Sequence, residues 1–399
     1  MQLTLNKPSQ VLRPADVPPA PVPGLYLHLP FCFHKCHYCD FYSITRQTPE
    51  RMASFVDLIL REAGYWANWA GSIRPRTIFF GGGTPSLLPL HEMRRLLNGL
   101  LDRFDFDDLN EWTVEANPAT VSLDYCQMLR ESGVDRLSFG AQSFDHVELK
   151  LLERHHDPDD VPRSVDIARR AGFTRINVDL IYAIPGQGLQ SWSDSLDRAI
   201  SLGTPHISCY GLTYEPNTAI TVRKRLGQFK PAEESLELEM LRHTRERLTA
   251  AGLMPYEISN YALPGEECRH NLLYWTGGNY IGLGPSAASH VEGWRWKNRP
   301  HLGEWENAVA SDHLPAADLE TLTSEQRQGE WVMLRLRLAG GIDFDEYAAR
   351  WGHDARAVYH DELTHLTGLG LLEMDDRRFA VSDAGLAVAD AIAAEFLRG

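Results

Sequence analysis

The 399-residue chain has no run approaching the ~18 consecutive apolar residues of a membrane-spanning helix. Its first residues show no basic stretch followed by an apolar one, so neither an integral membrane segment nor a secretory signal is expected. Low-complexity tracts and blocks of like charge are absent. Basic residues are outnumbered, 39 against 54 acidic, for a net charge of −15, and a general nucleic-acid binder is not expected from that balance. Cysteine is sparse, six in all, and three of the six crowd into one short segment. That distribution excludes the evenly spread framework of a disulfide-stapled secreted domain and points to a reducing, cytoplasmic setting.

The three crowded residues are Cys32, Cys36 and Cys39, spaced C-x3-C-x2-C, with Tyr38 directly before the last. Three thiolates on one short loop suit three corners of an iron–sulfur cubane, whose fourth iron is then open to a ligand. A zinc loop is the competing reading, with Cys268 and His270 as its second ligand pair. Buried apolar thiols are the other alternative. The spacing resembles that of the radical S-adenosylmethionine (SAM) enzymes. That resemblance implies a [4Fe–4S] cluster held by Cys32, Cys36 and Cys39, with SAM at the open iron.

The surrounding pattern alternates strands and helices. Short apolar runs at Leu25–His28, Thr77–Phe80, Glu111–Glu115, Arg136–Phe139, Arg175–Ile181 and His206–Tyr210 read as six strands. Between the first two, Thr48-Pro49-Glu50 is a helix start, and Met52, Phe55, Val56, Ile59, Leu60 and Ala63 follow at helical spacing. Strands alternating with helices imply a parallel sheet with right-handed crossovers. No further strand–helix units follow Tyr214, so the expectation is α/β, a partial (β/α)6 barrel over residues 24–215. Residues 1–23 read as an irregular arm, residues 216–318 as an extension of the barrel, and residues 319–399 as a separate C-terminal unit. In that unit a helix over Ser324–Leu338, a second over residues 360–372, a strand at Arg378–Val381 and a last helix look like a winged-helix α+β domain. Asp375, Asp376 and the acidic balance disfavour DNA, leaving a lid or partner surface as its role.

Polar motifs recur where the strands end: the cysteine loop, Gly81–Pro85, Glu115, Gln142 and Asp179. Taken singly, each is an ordinary loop residue. Their shared address at C-terminal strand ends is where barrels of this kind place chemistry. The Gly81–Thr84 backbone can approach a zwitterion closely, and Glu115 can take ribose hydroxyls. His155 and His156 read as a polar loop.

Further segments make the resemblance specific: Leu25–Pro30, Phe80–Ser86, Glu115–Pro118, Gly140–Phe144, Val178–Tyr182 with Pro185–Gln187, and Leu212–Pro216. Together they look like the radical SAM branch containing oxygen-independent coproporphyrinogen III oxidase and its relatives. The resemblance implies SAM contacts at Tyr26, Tyr38, Gly82, Gly83, Thr84, Glu115, Gln142, Arg154 and Asp179. Of these, Tyr38, Gly83, Thr84, Gln142, Arg154 and Asp179 fall at positions of a second SAM found in the oxidase. One departure separates subfamilies. The oxidase pattern continues with a fourth cysteine two positions after the third, where this chain has Phe41. Cys39-Asp40-Phe41, together with Tyr256–Tyr261, His270–Trp275 and Tyr280–Gly284, instead resembles the heme chaperones of the HemW type. That resemblance implies heme as cargo, with His270, Tyr274 and Trp275 as candidate contacts. It further implies a heme-acceptor protein, peripheral contact with membrane heme proteins, and an electron donor such as flavodoxin or ferredoxin. The alternative is radical oxidation of a porphyrinogen in porphyrin biosynthesis, for which Phe41 offers no thiol.

Overall fold

The computed structural model of the protein describes residues 12–398. Six strands, β1 (Pro21–Leu29), β2 (Ser72–Gly82), β3 (Glu111–Ala116), β4 (Arg136–Gln142), β5 (Arg175–Tyr182) and β6 (His206–Gly211), lie side by side in chain order. All five of their pairings are parallel. The helices α1 (Pro49–Ala67), α2 (Leu90–Leu101), α3 (Leu123–Glu131), α4 (His146–Leu151), α5 (Asp160–Arg170) and α6 (Leu189–Ser201) run between them. In β1, Leu25, Leu27 and Leu29 are fully buried under the helices, whereas Tyr26 faces the opposite, partly accessible side. The helices answer with apolar stripes. In α1, Met52, Phe55, Val56, Ile59, Leu60 and Ala63 are all buried, and Thr48 Oγ1 accepts the Arg51 N–H at 3.3 Å.

The first strand begins at Pro21, inside the stretch expected to be an irregular arm. Prolines are tolerated there because β1 pairs on its second side only over Gly24–Leu27, and its register with β2 shifts between Val22 and Gly24. Leu12 and Val17 are buried in the main core, so residues 12–20 are packed. The rest of the expected arm, residues 1–11, lies outside the described residues.

The sheet does not close. Beyond β6 come α7 (Ala219–Arg225), α8 (Glu234–Ala250), then β7 (Met254–Pro255) and β8 (Asn260–Ala262), with β8 antiparallel to β6. Next, α9 (Arg269–Trp275) is followed by β9 (Tyr280–Leu283), which pairs parallel to the free side of β1. Antiparallel β10 (Ala288–Val291), β11 (Trp294–Asn298) and β12 (Ala316–Thr321), with α10 (Leu302–Ala310), extend that edge. These strands escaped the sequence reading because all but β12 have five residues or fewer, too few to show a period of two. Glu62 of α1 fastens the extension: its carboxylate accepts from Gly284 N (2.8 Å), Trp305 Nε1 (2.9 Å) and Asn298 Nδ2 (2.6 Å). Burial lifts that carboxyl to about 7 against the pull of the three donors.

The C-terminal residues form their own core around Trp331, Ile342, Phe344, Tyr347, Leu363 and Phe396. The order is α11 (Ser324–Arg335), β13 (Ile342–Asp343), α12 (Phe344–Trp351), α13 (Ala355–Val358), α14 (His360–Gly368), β14 (Leu372–Met374), β15 (Arg378–Val381) and α15 (Ala389–Ala394). The expected helix over residues 360–372 ends at Gly368, where Gly370 at φ 72° turns the chain so that Leu372 enters a strand. The helix α12 and strand β13 were not anticipated. The unit packs on α9: Trp331 Nε1 donates to Thr276 O at 3.2 Å, and the Arg337 guanidinium sits 4.8 Å over the Trp275 ring.

Candidate functional site

The cysteine loop is closed at its base by backbone. Cys32 N donates to Ile44 O at 2.9 Å and Ile44 N to Pro30 O at 2.8 Å, while Phe31 is buried edge-on against Phe55. The turn after β2 is tied to the same base, with Gly83 N donating to Leu29 O (2.8 Å) and Thr84 N to Phe31 O (2.7 Å). A Cβ on Gly83 would stand 2.6 Å from Leu29 O, so glycine is required for this approach. Cys32, Cys36 and Cys39 are all free and partly accessible. Thr84 Oγ1 lies 3.8 Å from Cys32 Sγ. Arg154 Nη1 and His34 Nε2 lie 3.7 and 3.8 Å from Cys36 Sγ. Burial pushes all three thiols up, Cys39 to about 11, but His34 and the Arg154 guanidinium bring Cys36 below the ordinary range.

Among the described residues no three or more His, Cys, Asp or Glu side chains converge on one ion. A cubane does not ask for convergence, since each thiolate takes a different iron. The zinc alternative loses its second pair on geometry. Cys268 Sγ sits 3.3 Å from Glu111 Oε1, and His270 Nδ1 2.9 Å from Thr77 Oγ1, at the N-terminal ends of the pairing segments of β3 and β2. The cysteine loop lies at the other end of the strands.

The nine residues expected to contact SAM share one property. Tyr26, Tyr38, Gly82, Gly83, Thr84, Glu115, Gln142, Arg154 and Asp179 are each partly accessible, although most sit among fully buried strand neighbours. They line the inner, open side of the sheet at its C-terminal end. Glu115 is held by little: burial and then the Asp179 charge raise its carboxyl to about 8, opposed only by the Gly82 N–H. Its Oε2 would be 2.9 Å from a Cβ on Gly81. Asp179 is also raised by burial, though Ser138 Oγ (3.0 Å) and Asn177 Nδ2 (2.8 Å) donate to it. Arg154 Nη2 donates to Gly140 O, and its buried Nε has no partner among the described residues. Gln142 takes φ 67° at a register shift between β4 and β5, a bulge that re-aims its side chain. Two acceptor-rich carboxyls and a guanidinium lacking a carboxylate partner fit a ligand carrying hydroxyls, an amine and a carboxylate, as SAM does.

Sequence reasoning missed several members of this wall. His28 is buried between Tyr26 OH (3.1 Å) and Tyr42 O (2.8 Å), and it abuts Gly82. Gly82 has φ 97°, and a Cβ there would fall 2.4 Å from the His28 ring. A side chain at 82 therefore displaces His28 first and does not simply enter the ligand space. The polar alternation of β1, with His28 inside an apolar run, was the available signal. Ser138, Asn177 and Ser208, which surround Asp179, gave none. His156 is a correction: it is buried with both ring nitrogens unpartnered, whereas His155 is exposed and packs on His34 at 3.9 Å.

The candidate heme group sits at the floor of the same space. His270 and Tyr274 do share a helical face: His270 Nε2 and Tyr274 OH are 2.8 Å apart. With Nδ1 on Thr77, both nitrogens of the buried His270 ring are engaged, and the ring stacks on Phe79 at 5.4 Å. It offers iron no free nitrogen as it stands. Tyr274 is near enough to Tyr26 and Glu115 for their charges to raise its phenol further, after burial. Trp275 turns the other way, under Arg337. The helix start is held from a distance. Glu111 accepts from Arg269 N (3.1 Å), His270 N (3.0 Å) and Arg175 Nη2 (2.8 Å), with the buried Arg136 3.8 Å away.

Known proteins match this chain along nearly all its length. Residues 26–199 match the radical SAM superfamily and residues 322–388 the HemN C-terminal domain. The heme chaperone HemW of Lactococcus lactis is 31% identical over 372 residues, 93% of this chain and 96% of the relative. That of Bacillus subtilis is 32% identical over 374 residues, 93% and 98%. That of Escherichia coli is 39% identical over 268 residues, 67% and 70%. The solved structure of coproporphyrinogen III oxidase (HemN) from Escherichia coli, a radical SAM enzyme, superposes with a TM-score of 0.83. It covers 96% of this chain and 90% of that one at 24% identity, a likeness that establishes the fold. With the cysteine loop, the open parallel sheet and full-length relatives in agreement, the chain belongs to the HemW heme chaperone family of radical SAM proteins.

Proposed function

We propose that this protein binds heme and passes it to acceptor proteins in the cytoplasm, with a [4Fe–4S] cluster on Cys32, Cys36 and Cys39 and SAM in a supporting role. The observation that carries the reading is the extended match to proteins named heme chaperones. Phe41 supports it. It stands 62% exposed beside the cysteine loop where the oxidase pattern has a thiol, and Cys126, Cys209 and Cys268 are buried elsewhere. When bound, the cluster supplies an open coordination position and a one-electron carrier. The chain's own residues do the rest. Arg154 presents a guanidinium to a carboxylate, Glu115 and Asp179 present acceptors to hydroxyl and amine donors, and Gly82 and Gly83 let the backbone come close. Tyr274 and Phe79 give the inner space aromatic walls suited to a flat tetrapyrrole. His270 then acts by holding Tyr274 in place, since its nitrogens are engaged. Reducing equivalents come from a carrier such as flavodoxin or ferredoxin.

No described helix is long and apolar enough to cross a membrane. The test is anaerobic incubation of cluster-loaded protein with SAM, reductant and either coproporphyrinogen III or heme. Stable heme binding without decarboxylated product is expected. Turnover of the porphyrinogen would replace this reading with the oxidase.

A further inference from the structure

The cysteine loop is flanked by a cationic face. The helix α7 rests directly on it: Ile220 N donates to His37 O at 2.8 Å. Arg223 Nη1 reaches His37 Nδ1 (2.9 Å) and Leu151 O (3.4 Å). His37 is the residue between Cys36 and Tyr38, so this contact touches the segment that carries two of the three thiols. Beneath, Leu152, Ile181, Ile184, Leu212 and Ile220 form a small apolar cluster, separate from the main core, against which Tyr38 packs. The helix is thus built onto the loop.

Its outer side is basic. Arg223, Lys224 and Arg225 make up the last turn, Lys230 follows, and Lys35 projects from the cysteine loop itself. Lys35, Lys224, Arg225 and Lys230 are exposed, and none forms an ion pair among the described residues. Lys224 Nζ is 4.1 Å over the Tyr214 ring. The acids nearest in sequence are Asp40, Glu215, Glu233 and Glu234, all exposed, and Glu237 bears on Tyr214; Glu153 is engaged with His37 and His155. Among the cations Val222 and Leu226 stand 47% and 67% exposed. An apolar pair flanked by cations that form no ion pair among the described residues is the form of a transient docking surface. In a chain of net charge −15 such a face must be local, and it adjoins the one place where an electron has to enter.

We propose that α7 and the cysteine loop dock a small acidic one-electron carrier protein. The proposal rests on the cluster reading above. The step is balanced by one electron: the carrier is oxidised by one, the cluster site is reduced by one, and no bond or proton changes hands. The cations steer the carrier and Val222 and Leu226 seat it, so the association should be fast and salt-sensitive.

The test is stopped-flow reduction of the anaerobic, cluster-loaded protein by reduced flavodoxin, with dithionite as a small-molecule reference. The variant R225E/K230E should lower the flavodoxin rate on the order of ten-fold or more at low salt and flatten its salt dependence. Its chromophore and dithionite rate should stay those of the wild type. R225Q/K230Q should fall between, and Arg94→Glu, an exposed cation on α2, should change nothing. Wild-type flavodoxin kinetics in R225E/K230E would overturn the proposal. So would loss of heme affinity in that variant with flavodoxin reduction intact, which would make this a site for heme propionates. If flavodoxin fails on the wild type while dithionite succeeds, the docking surface falls and the cluster stands. If dithionite also fails, the cluster reading falls with it.

Discussion

Replacing Glu111 with Gln should unfasten the floor of the site. Glu111 does for α9 what its own N-terminal residue does not: Cys268 makes no side-chain cap, and the carboxylate arriving from β3 accepts the Arg269 and His270 N–H groups instead. Its two oxygens also face Arg175 Nη2, Cys268 Sγ and the buried Arg136. An amide keeps one acceptor and turns two hydrogens toward groups that are themselves donors. Whichever way it sits, two hydrogen bonds are lost, each worth about 1.5–3 kcal/mol when a charge is involved. Arg136, whose Nη2 already lacks a partner, loses its carboxylate and keeps only Glu266 O. The sum is about 4 kcal/mol of stability by that reckoning.

Urea unfolding of wild type and Glu111→Gln at pH 7 measures it, and alkylation of Cys268 in the native state reports whether α9 has loosened. Despite its burial, the arginines and backbone donors hold the Glu111 carboxyl below its ordinary value. Its contribution is therefore present above the unfolded-state pKa and lost as pH falls through the lower folded value, so the difference between the two proteins should shrink only in acid. A loss under about 1 kcal/mol at pH 7, with Cys268 as protected as before, would refute the capping role.

Three further outcomes are expected. Ser at any of Cys32, Cys36 or Cys39 should abolish the brown chromophore of anaerobically prepared protein, while Ala at Cys126 or Cys209 keeps it; full retention in a loop mutant would sink the ligand assignment. Gly82→Val should weaken SAM binding in calorimetry with the cluster still assembled, and it should also destabilise the fold because φ 97° and the His28 ring both oppose a side chain; unchanged affinity would place SAM elsewhere. Glu62, raised to about 7 by burial, stabilises the fold below the unfolded-state pKa and loses that contribution as pH rises through about 7, some 3 kcal/mol in scale. Glu62→Gln should accordingly flatten the pH 5–8 dependence of unfolding, and an identical slope would remove Glu62 as its cause.

What was legible in the sequence was whatever depends on neighbours along the chain. The thiol spacing, the Thr48 cap, the apolar stripe of α1 and the six strand segments follow from patterns local to the chain. The shared address of the SAM candidates also followed, because strand order and alternation together put strand ends on one rim. The short strands of the extension and β13 and β14 of the C-terminal unit were hidden, whereas β15 (Arg378–Val381) was read. Tertiary structure alone decided which partner each polar group took. Glu111 finds the start of α9 across 159 residues, Arg154 finds Cys36 across 118, and Thr77 finds His270 across 193. No local pattern encodes such pairings. They arise when burial forces each donor and acceptor to be satisfied by whatever the strand order brings beside it. That is why the sequence marked His270 as a candidate ligand, and why the folded chain, with both its nitrogens engaged, makes it an anchor.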